Sequence, residues 1–269
     1  MAKFSDYLKD LRRSGQLSFT IDKVVSDLKI LERNALVAIH RIKKRGEIIS
    51  PARGFYVLIP PEYQLQGCIP AQNLVPILMK HLNVNYYVGL LSAAMYHGST
   101  HQKPNSFQII SSKQIRKELR FGAVGIDLIY KKALENLPIQ EIAVDSGYLK
   151  ISSPELTIMD LLLYPKRSGG LNHIATVLSE IVPSIDIKKL LELANASSQK
   201  TWLQKLGYIL EKINSENPNH KQRVVETLTK YLSNSNKKFV ALAPEIQIEG
   251  YPKCKKWMII ENTSIESDL

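Results

Sequence analysis

A change of apolar spacing at Gly46 constrains the fold of this chain more than any other feature. Upstream of Gly46, apolar residues recur three and four positions apart in three segments, and this spacing predicts three amphipathic helices, the second with Thr20 as its N-cap. Downstream, two runs of aliphatic and aromatic residues flank Pro51-Ala52-Arg53-Gly54, which predicts a β-hairpin closed by a turn. The predicted elements are helices at residues 3–13, 20–28 and 31–45 and strands at 47–50 and 55–59.

Three helices followed by a hairpin is the element order of a winged helix-turn-helix, which we predict over residues 1–60, since Pro60-Pro61 ends the last strand. From about residue 70 helical and strand-like spacing alternate, which predicts a larger mixed α/β domain over residues 70–269 with a helical C-terminal part. The expected fold class is therefore α+β or α/β. The predicted elements of this domain are helices at 72–82, 86–97, 154–163, 171–213 and 221–232, strands at 107–111, 123–130 and 140–144, and a strand-and-turn segment at 238–261.

Positive charge is concentrated in the predicted winged helix. The chain carries 36 Lys and Arg against 25 Asp and Glu, a net charge of +11, and residues 1–60 alone carry twelve basic and six acidic side chains. A local excess of this kind favours a polyanionic partner, and double-stranded DNA is the partner that a winged helix binds. The alternative is a surface charge that serves only solubility.

The third predicted helix carries its polar side chains opposite an apolar stripe, for which we expect Leu36, Ile39 and Ile42 to face the first two helices. The opposite face offers groups that pair with base edges in the major groove: arginine with guanine, asparagine with adenine, and an aliphatic side chain with the thymine methyl group. Recognition helices read bases mainly from their N-terminal half. We therefore predict base contacts from Arg33, Asn34 and Val37, phosphate contacts from His40, Arg41, Lys44 and Arg45, and a phosphate or minor-groove contact from Arg53 at the hairpin tip.

Two other interpretations of this segment stay open. Lys43-Lys44-Arg45 is also what a solvated helix end carries, because cations are favoured at a helix C-terminus. A winged helix can also serve purely to bind another protein, although that role predicts a less basic third helix.

The cysteines and the hydropathy pattern predict a cytoplasmic protein that does not contact a membrane. Cys68 and Cys254 stand far apart and in no metal-ligand spacing, which favours free thiols in a reducing compartment. The first residues lack the apolar core of a signal peptide. No apolar run approaches the roughly 20 residues that span a bilayer.

Three motifs in the second predicted domain carry a family resemblance. Residues 87–102 read Y-x-G-x-x-S-A-A-x-x-H-G-x-x-x-Q, residues 153–160 read S-P-E-x-T-x-x-D, and residues 206–211 read L-G-Y-x-L-E. In this order, and behind a winged helix, they resemble the AbiEi family, the antitoxins of type IV toxin–antitoxin systems. The resemblance covers essentially the whole chain.

The resemblance implies two functions. The winged helix would repress its own operon by binding repeats in the promoter. The larger domain would counteract a nucleotidyltransferase-like toxin encoded next to it, without forming a stable complex with that toxin. No cofactor is implied.

The motif residues have roles that the sequence leaves open. His97 and His101 have the spacing of two metal ligands on a helix, but Gly98 is expected to end the helix and the glutamate of H-E-x-x-H is missing, so we predict no metal site. We expect hydrogen bonds from His97 and Gln102 that hold a turn or line a polar surface. The candidate residues of this domain are Tyr87, Ser92, His97, His101, Gln102, Thr157, Asp160 and Lys205.

Further expectations concern packing around these motifs. Ser153 and Glu155 are expected to cap a helix, and Asp160 to be a buried hydrogen-bonding carboxylate. The AbiEi family usually carries a basic residue at the position of Lys205, so the resemblance implies a role for this side chain toward an RNA or nucleotide phosphate. Small residues permit close packing between helices. We expect this of Gly89, Ala93, Ala94 and Gly98, and we expect Trp202 and Tyr208 to lie in the core.

The rival interpretation is a nuclease, or another nucleic-acid enzyme, that a winged helix brings to its substrate. Such a nuclease needs an aspartate and an E-x-K-like pair to hold a divalent metal. Residues 242–249 and 260–262 offer no such arrangement, and the chain lacks a Ser-His-Asp order, a P-loop and a dinucleotide fingerprint. The sequence therefore predicts a protein that is not an enzyme.

Overall fold

The computed structural model describes residues 2–99, 104–115, 118–233 and 238–265, without the side chains of residues 2 and 3. It is a mixed α/β structure, as the sequence predicts. Two compact units are present: unit 1 comprises residues 1–88, 105–135 and 141–151, and unit 2 comprises residues 89–104, 136–140 and 152–269. The predicted domain boundary at residues 60–70 falls inside unit 1, and the two-domain division remains a prediction.

Unit 1 begins with a module of three helices and a three-stranded antiparallel sheet of order β1-β3-β2, which we call the N-terminal module (residues 2–60). The helices and the hairpin lie within a few residues of their predicted bounds, and Thr20 Oγ1 accepts a hydrogen bond from the Lys23 amide at 3.3 Å as the expected N-cap. Strand β1 was missed because three residues are too few to show alternation. The elements are α1 (Ala2–Arg13), β1 (Ser18–Thr20), α2 (Ile21–Leu28), α3 (Glu32–Lys44), β2 (Ile48–Ala52) and β3 (Phe55–Leu58).

The N-terminal module has an apolar core of its own. Phe19 of β1 stacks on Tyr56 of β3 with ring centroids 5.4 Å apart, and meets Phe4 of α1 edge-on at 6.4 Å. Aromatic side chains bury large areas, so these contacts tie α1 to the sheet. The buried members of this core are Phe4, Leu8, Leu11, Phe19, Val24, Ala35, Ile39, Ile42, Ile48, Tyr56 and Leu58.

Leu36 does not belong to this core, and its predicted place on the apolar stripe of α3 is wrong. The side of α3 that packs inward carries Ala35, Ile39 and Ile42, whereas Leu36 is 44% exposed. At about 100° per residue, the three buried positions span an arc of about 60°, and Leu36 lies about 100° from Ala35. The small Ala35, rather than the larger Leu36, therefore faces the first two helices.

The rest of unit 1 is built around a six-stranded sheet of order β6-β7-β5-β4-β9-β8. Strands β4 and β5 pair antiparallel, whereas β5 with β7 and β4 with β9 pair parallel. The predicted strands at 107–111, 123–130 and 140–144 are present. The elements are α4 (Ala71–Leu82), β4 (Tyr86–Val88), β5 (Phe107–Ser111), β6 (Glu118–Phe121), β7 (Val124–Tyr130), β8 (Ile139–Val144) and β9 (Gly147–Ser152).

The predicted helix over residues 86–97 is wrong in its first part. Tyr86–Val88 form a buried strand between β5 and β9, and the helix begins only at Leu90. Aromatic and β-branched side chains favour strands. Pairing with two neighbouring strands, which the local sequence does not show, decides the conformation of these residues.

Unit 2 is mainly helical, with the predicted helices at 154–163, 171–213 and 221–232 all present. The long segment 171–213 divides into three helices. The predicted strand-and-turn segment at 238–261 forms a small sheet of order β10-β12-β11. The elements are α5 (Leu90–Tyr96), α6 (Pro154–Leu163), α7 (Leu171–Ile181), α8 (Ile187–Ala196), α9 (Thr201–Lys212), α10 (Pro218–Ser233), β10 (Val240–Ala241), β11 (Lys253–Cys254) and β12 (Ile259–Ile260).

Candidate nucleic-acid interface

An open groove with a volume of about 780 Å³ lies between α3 and the β2–β3 hairpin of the N-terminal module. We call it the α3 groove. The helix contributes most of the lining, and the hairpin contributes Ser50 and Tyr56. The remaining lining residues are Glu32, Arg33, Leu36, Val37, Ile39, His40, Arg41 and Lys43.

Positive charge dominates the α3 groove. Arg33, Arg41 and Lys43 are exposed on its wall, and Glu32 is the single acidic side chain among the lining residues. Burial raises the pKa of Tyr56, and the nearby carboxylate of Glu32 raises it further, so the phenol stays protonated at neutral pH and can donate a hydrogen bond. The groove thus presents cations and neutral donors.

Half of the residues predicted to contact DNA line this groove, and half do not. Arg33, Val37, His40 and Arg41 lie together on its wall. The other four are exposed elsewhere on the module: Asn34, Lys44, Arg45 and Arg53.

Arg45 has a protein partner. Its Nε lies 3.0 Å from Oε1 of Glu47, whose other oxygen lies 3.6 Å from Nη2 of Arg12. An exposed ion pair of this kind adds little to stability, but it offsets the charge that Arg45 offers to a phosphate. Part of the charge of Arg45 is therefore neutralised within the protein.

Sequence reasoning missed Leu36 and Lys43 as groove residues. The buried stripe of α3 consists of Ala35, Ile39 and Ile42, and Leu36 and Lys43 lie at its edge. The signal was present in the sequence, because Ala35, Ile39 and Ile42 recur at a spacing of four and three. Ser50 and Tyr56 carried no such signal, since only the hairpin's position brings them to α3.

In unit 1, Tyr87 of the first family motif is fully buried in strand β4. The Nζ of Lys131 donates to its hydroxyl at 3.3 Å and lies 5.9 Å from its ring centroid. Packing and the ammonium group of Lys131 thereby hold the side chain in place.

In unit 2, His97 ends α5 and holds the start of the next motif. Its Nε2 donates to the carbonyl of Ser152 at 2.7 Å. Burial lowers the pKa of His97, although the Ser152 carbonyl and the Glu155 carboxylate oppose this effect. The geometry therefore uses His97 as a neutral donor. His101 and Gln102 lie outside the described residues.

Gly98 does not take part in the close helix packing that we expected of it. Its φ is +91°, and a Cβ there would meet nothing within 4 Å. The position needs glycine because of its backbone conformation. In contrast, Ala93 and Ala94 are buried in α5 as expected.

The second motif forms a buried polar network at the start of α6. Ser153 caps the helix by accepting from the Leu156 amide at 3.3 Å and donating to Glu155 at 2.7 Å. Thr157 donates to the Ser153 carbonyl at 2.8 Å and contacts the Ser152 hydroxyl at 2.6 Å. The capping expected of Ser153 is present, whereas Glu155 does not cap α6: its second oxygen accepts from the amide of Asp186 at 2.8 Å.

Three more of the candidate residues are buried in unit 2. Ser92 and Asp160 are fully buried, and Lys205 is 6% exposed. Burial lowers the pKa of Lys205, and Glu245 partly offsets this by favouring the charged form. A buried side chain has little area to offer a large polyanion, so the expected phosphate contact of Lys205 finds no support in its position. Trp202 and Tyr208 are buried, as expected.

Helix α9, which carries the third motif, holds the segment that follows residue 237. On one face of α9, Gln204 Nε2 donates to the carbonyls of Lys238 at 3.0 Å and Trp257 at 3.0 Å. Further along that face, Glu211 accepts from the Trp257 indole at 2.7 Å and pairs with Lys256. The glutamate of L-G-Y-x-L-E therefore serves as an anchor for Trp257.

The described parts of the chain hold no cluster of three or more metal-ligating side chains. Within the same residues, none of the helices combines the length and the hydropathy needed to cross a membrane. Cys68 is buried and Cys254 is partly exposed, and both are free thiols.

The fold and the groove together define a mixed α/β protein whose N-terminal module presents a cationic, partly apolar face. Residues 87–212 match the model of the AbiEi antitoxin C-terminal domain. For this segment the resemblance stated from the motifs is thereby confirmed: residues 87–212 are similar to the AbiEi antitoxin C-terminal domain.

Solved structures support the fold over nearly the whole chain. The RV2827C protein from Mycobacterium tuberculosis has a TM-score of 0.65 at 16% identity, over 95% of this chain and 90% of that chain. At this identity the likeness shows the fold alone. An antigenic nucleotidyltransferase-like protein from Paracoccidioides brasiliensis has a TM-score of 0.31 at 13% identity, over 60% of this chain and 88% of that chain. A TM-score this low does not indicate a shared fold. The search of curated proteins finds no match.

Proposed function

We propose that this protein is a DNA-binding autorepressor and an antitoxin of a type IV toxin–antitoxin system. Its N-terminal module acts as a winged helix-turn-helix on repeats in the promoter of its own operon. Its AbiEi domain counteracts a nucleotidyltransferase-like toxin in the cytoplasm without a stable complex, and it does so without acting as an enzyme.

The α3 groove is the observation that carries the DNA-binding part. Three helices and a hairpin place Arg33, Arg41 and Lys43 around one groove, where only Glu32 opposes them. Cations at this density attract phosphates, and an exposed helix beside a hairpin suits a major groove with an adjacent backbone. Repeated half-sites would make binding bivalent and raise its apparent affinity.

The antitoxin part rests on the family match at residues 87–212. Two of the three motifs within that match lie in unit 2, where Thr157 and Glu211 make contacts inside the protein. We infer that these motifs maintain the antitoxin domain rather than supply reactive groups.

A gel-shift titration on the DNA upstream of the chain's own gene tests the DNA-binding part. The wild type is compared with an Arg33→Ala, Arg41→Ala variant, and with a Lys9→Ala, Arg13→Ala control that removes the same charge from α1. Lys9 and Arg13 are exposed and pair only locally, with Asp6 and Asp10. We expect selective, salt-sensitive binding that the groove variant loses and the control keeps. Equal binding by all three proteins contradicts the proposal.

Co-expression with the neighbouring gene tests the antitoxin part. The proposal expects growth to be restored by the full chain, with no complex recovered by size-exclusion chromatography. Digestion of nucleic acid by the purified protein in the presence of Mg²⁺ would instead favour the nuclease alternative.

A further inference from the structure

The α3 groove of the N-terminal module combines exposed aliphatic side chains with cationic ones. Leu36 is 44% exposed and its neighbour Val37 is 48% exposed, and both line the α3 groove. On the helix surface, Arg33 lies one turn before Leu36 and His40 lies one turn after it. Leu36 is therefore an apolar contact point flanked by groups that bind a polyanion.

We propose that Leu36 is a specificity-determining residue that reads the 5-methyl group of thymine, with Val37 contacting an adjacent position. This inference rests on the proposed DNA-binding function. The thymine methyl is the apolar group that the base edges present in the major groove, so an aliphatic side chain on a recognition helix gains a favourable contact at thymine. Arg33, one turn before Leu36, would read a guanine beside that thymine.

Charge complementarity favours DNA over a second copy of the chain as the occupant of this groove. A symmetric dimer through this face would place Arg33, Arg41 and Lys43 of one protomer near the same residues of the other. Like charges brought together across an interface oppose association. A DNA duplex supplies both the negative charge that these side chains require and the methyl group that suits Leu36.

Leu31 provides a matched control. It is 68% exposed at the N-cap of the same helix, but it does not line the groove. Truncating Leu31 or Leu36 removes the same atoms from exposed positions on one helix. Both variants are expected to fold, because neither side chain belongs to the core.

The experiment replaces thymine by deoxyuridine, which removes only the 5-methyl group. A preferred duplex is first selected from a random pool with the wild-type full chain. Each thymine of that duplex is then replaced in turn, and the Kd is measured for the wild type and for the Leu36→Ala, Val37→Ala and Leu31→Ala variants.

We expect uracil to weaken wild-type binding about three- to tenfold at one or two positions, the effect of losing one buried methyl contact. Leu36→Ala should abolish the thymine preference at one position, Val37→Ala should abolish it at a neighbouring position, and Leu31→Ala should retain both. If the wild type binds thymine and uracil duplexes equally, or if Leu36→Ala keeps the preference, the inference is wrong while selective DNA binding stands. If no duplex is selected, the proposed DNA-binding function is itself wrong.

Discussion

The indole ring of Trp257 lies against the α-carbon of Gly207 in the middle of α9. A Cβ at Gly207 would overlap three atoms of that ring, Cζ3, Cη2 and Cε3. Trp257 is fully buried, and its Nε1 donates to Glu211 one turn further along the helix. The glycine and the glutamate of L-G-Y-x-L-E thus both contact Trp257, which lies beyond the family match at 87–212.

Replacing Gly207 by alanine should destabilise the protein despite the better helix propensity of alanine. The gain in propensity is about 1 kcal/mol. A methyl group that overlaps a packed ring lowers the free energy of unfolding by roughly 1–3 kcal/mol or more. The loss from the overlap is therefore expected to exceed the gain in propensity. Chemical denaturation should show a lower free energy of unfolding for Gly207→Ala.

A double-mutant cycle tests whether the ring of Trp257 causes the loss of stability in Gly207→Ala. In a Trp257→Ala background the overlap is absent, so Gly207→Ala should cost less there than in the wild type. The same cost in both backgrounds would show that the ring does not set the requirement for glycine.

Acidification should destabilise the protein through His97. Burial lowers the folded-state pKa of this side chain below its ordinary value of 6.5. The unfolded chain therefore binds the proton more readily, so stability that is present above pH 6.5 is lost progressively as the pH falls from 6.5 toward the lower folded-state pKa. The free energy of unfolding, measured between pH 7.5 and 5.5, should fall less in a His97→Gln variant than in the wild type. Parallel pH profiles for the two proteins would rule out this role of His97.

Lys205→Met should leave the protein as stable at neutral pH or stabilise it by about 1 kcal/mol. Burial lowers the pKa of Lys205, which means that its charge carries a desolvation penalty at pH 7. An apolar side chain of similar length avoids that penalty. By the same linkage, the difference between variant and wild type should shrink as the pH rises toward 10.5.

The control is Lys212→Met on the same helix, at an exposed position. Its Nζ lies 5.6 Å from the ring centroid of Tyr208, so this variant should lower the free energy of unfolding by at most about 1 kcal/mol, the contribution of an exposed cation–π contact. A marked loss of stability in Lys205→Met would mean that the ammonium group is required in the folded state.

Glu32→Gln should raise the affinity of the protein for non-specific DNA. Glu32 is the acidic lining residue of the α3 groove and opposes phosphates there. Removing its charge is expected to tighten binding at low salt about two- to fivefold. Fluorescence anisotropy on a duplex of random sequence measures the effect.

Glu62→Gln serves as the control, because Glu62 is exposed outside the groove and carries the same charge. If Glu32→Gln instead weakens binding to the selected duplex only, the carboxylate accepts a hydrogen bond from a cytosine rather than merely repelling phosphate.

Elements whose signals are local could be predicted from the amino-acid sequence. The helices of the N-terminal module, its hairpin and the Thr20 cap follow from spacing and turn residues within a few positions of each other, and they are present in the structure. The three motifs likewise sufficed for the family resemblance that the match at 87–212 confirms. The concentration of basic side chains likewise indicates α3 as the candidate DNA-binding helix.

Other features depend on how the folded chain packs and are apparent only in three dimensions. Tyr86–Val88 form a strand because β5 and β9 lie on either side of them. Leu36 faces solvent because Ala35 fits against the first two helices, and this places a leucine in the α3 groove. Gly207 is required because Trp257, fifty residues later, packs on it. For Tyr86–Val88 and Gly207 the deciding contact joins residues far apart along the chain, and spacing within a short window carries no information about such contacts. For α3 the spacing is compatible with a stripe through Ala35 or through Leu36, and packing against the first two helices selects Ala35.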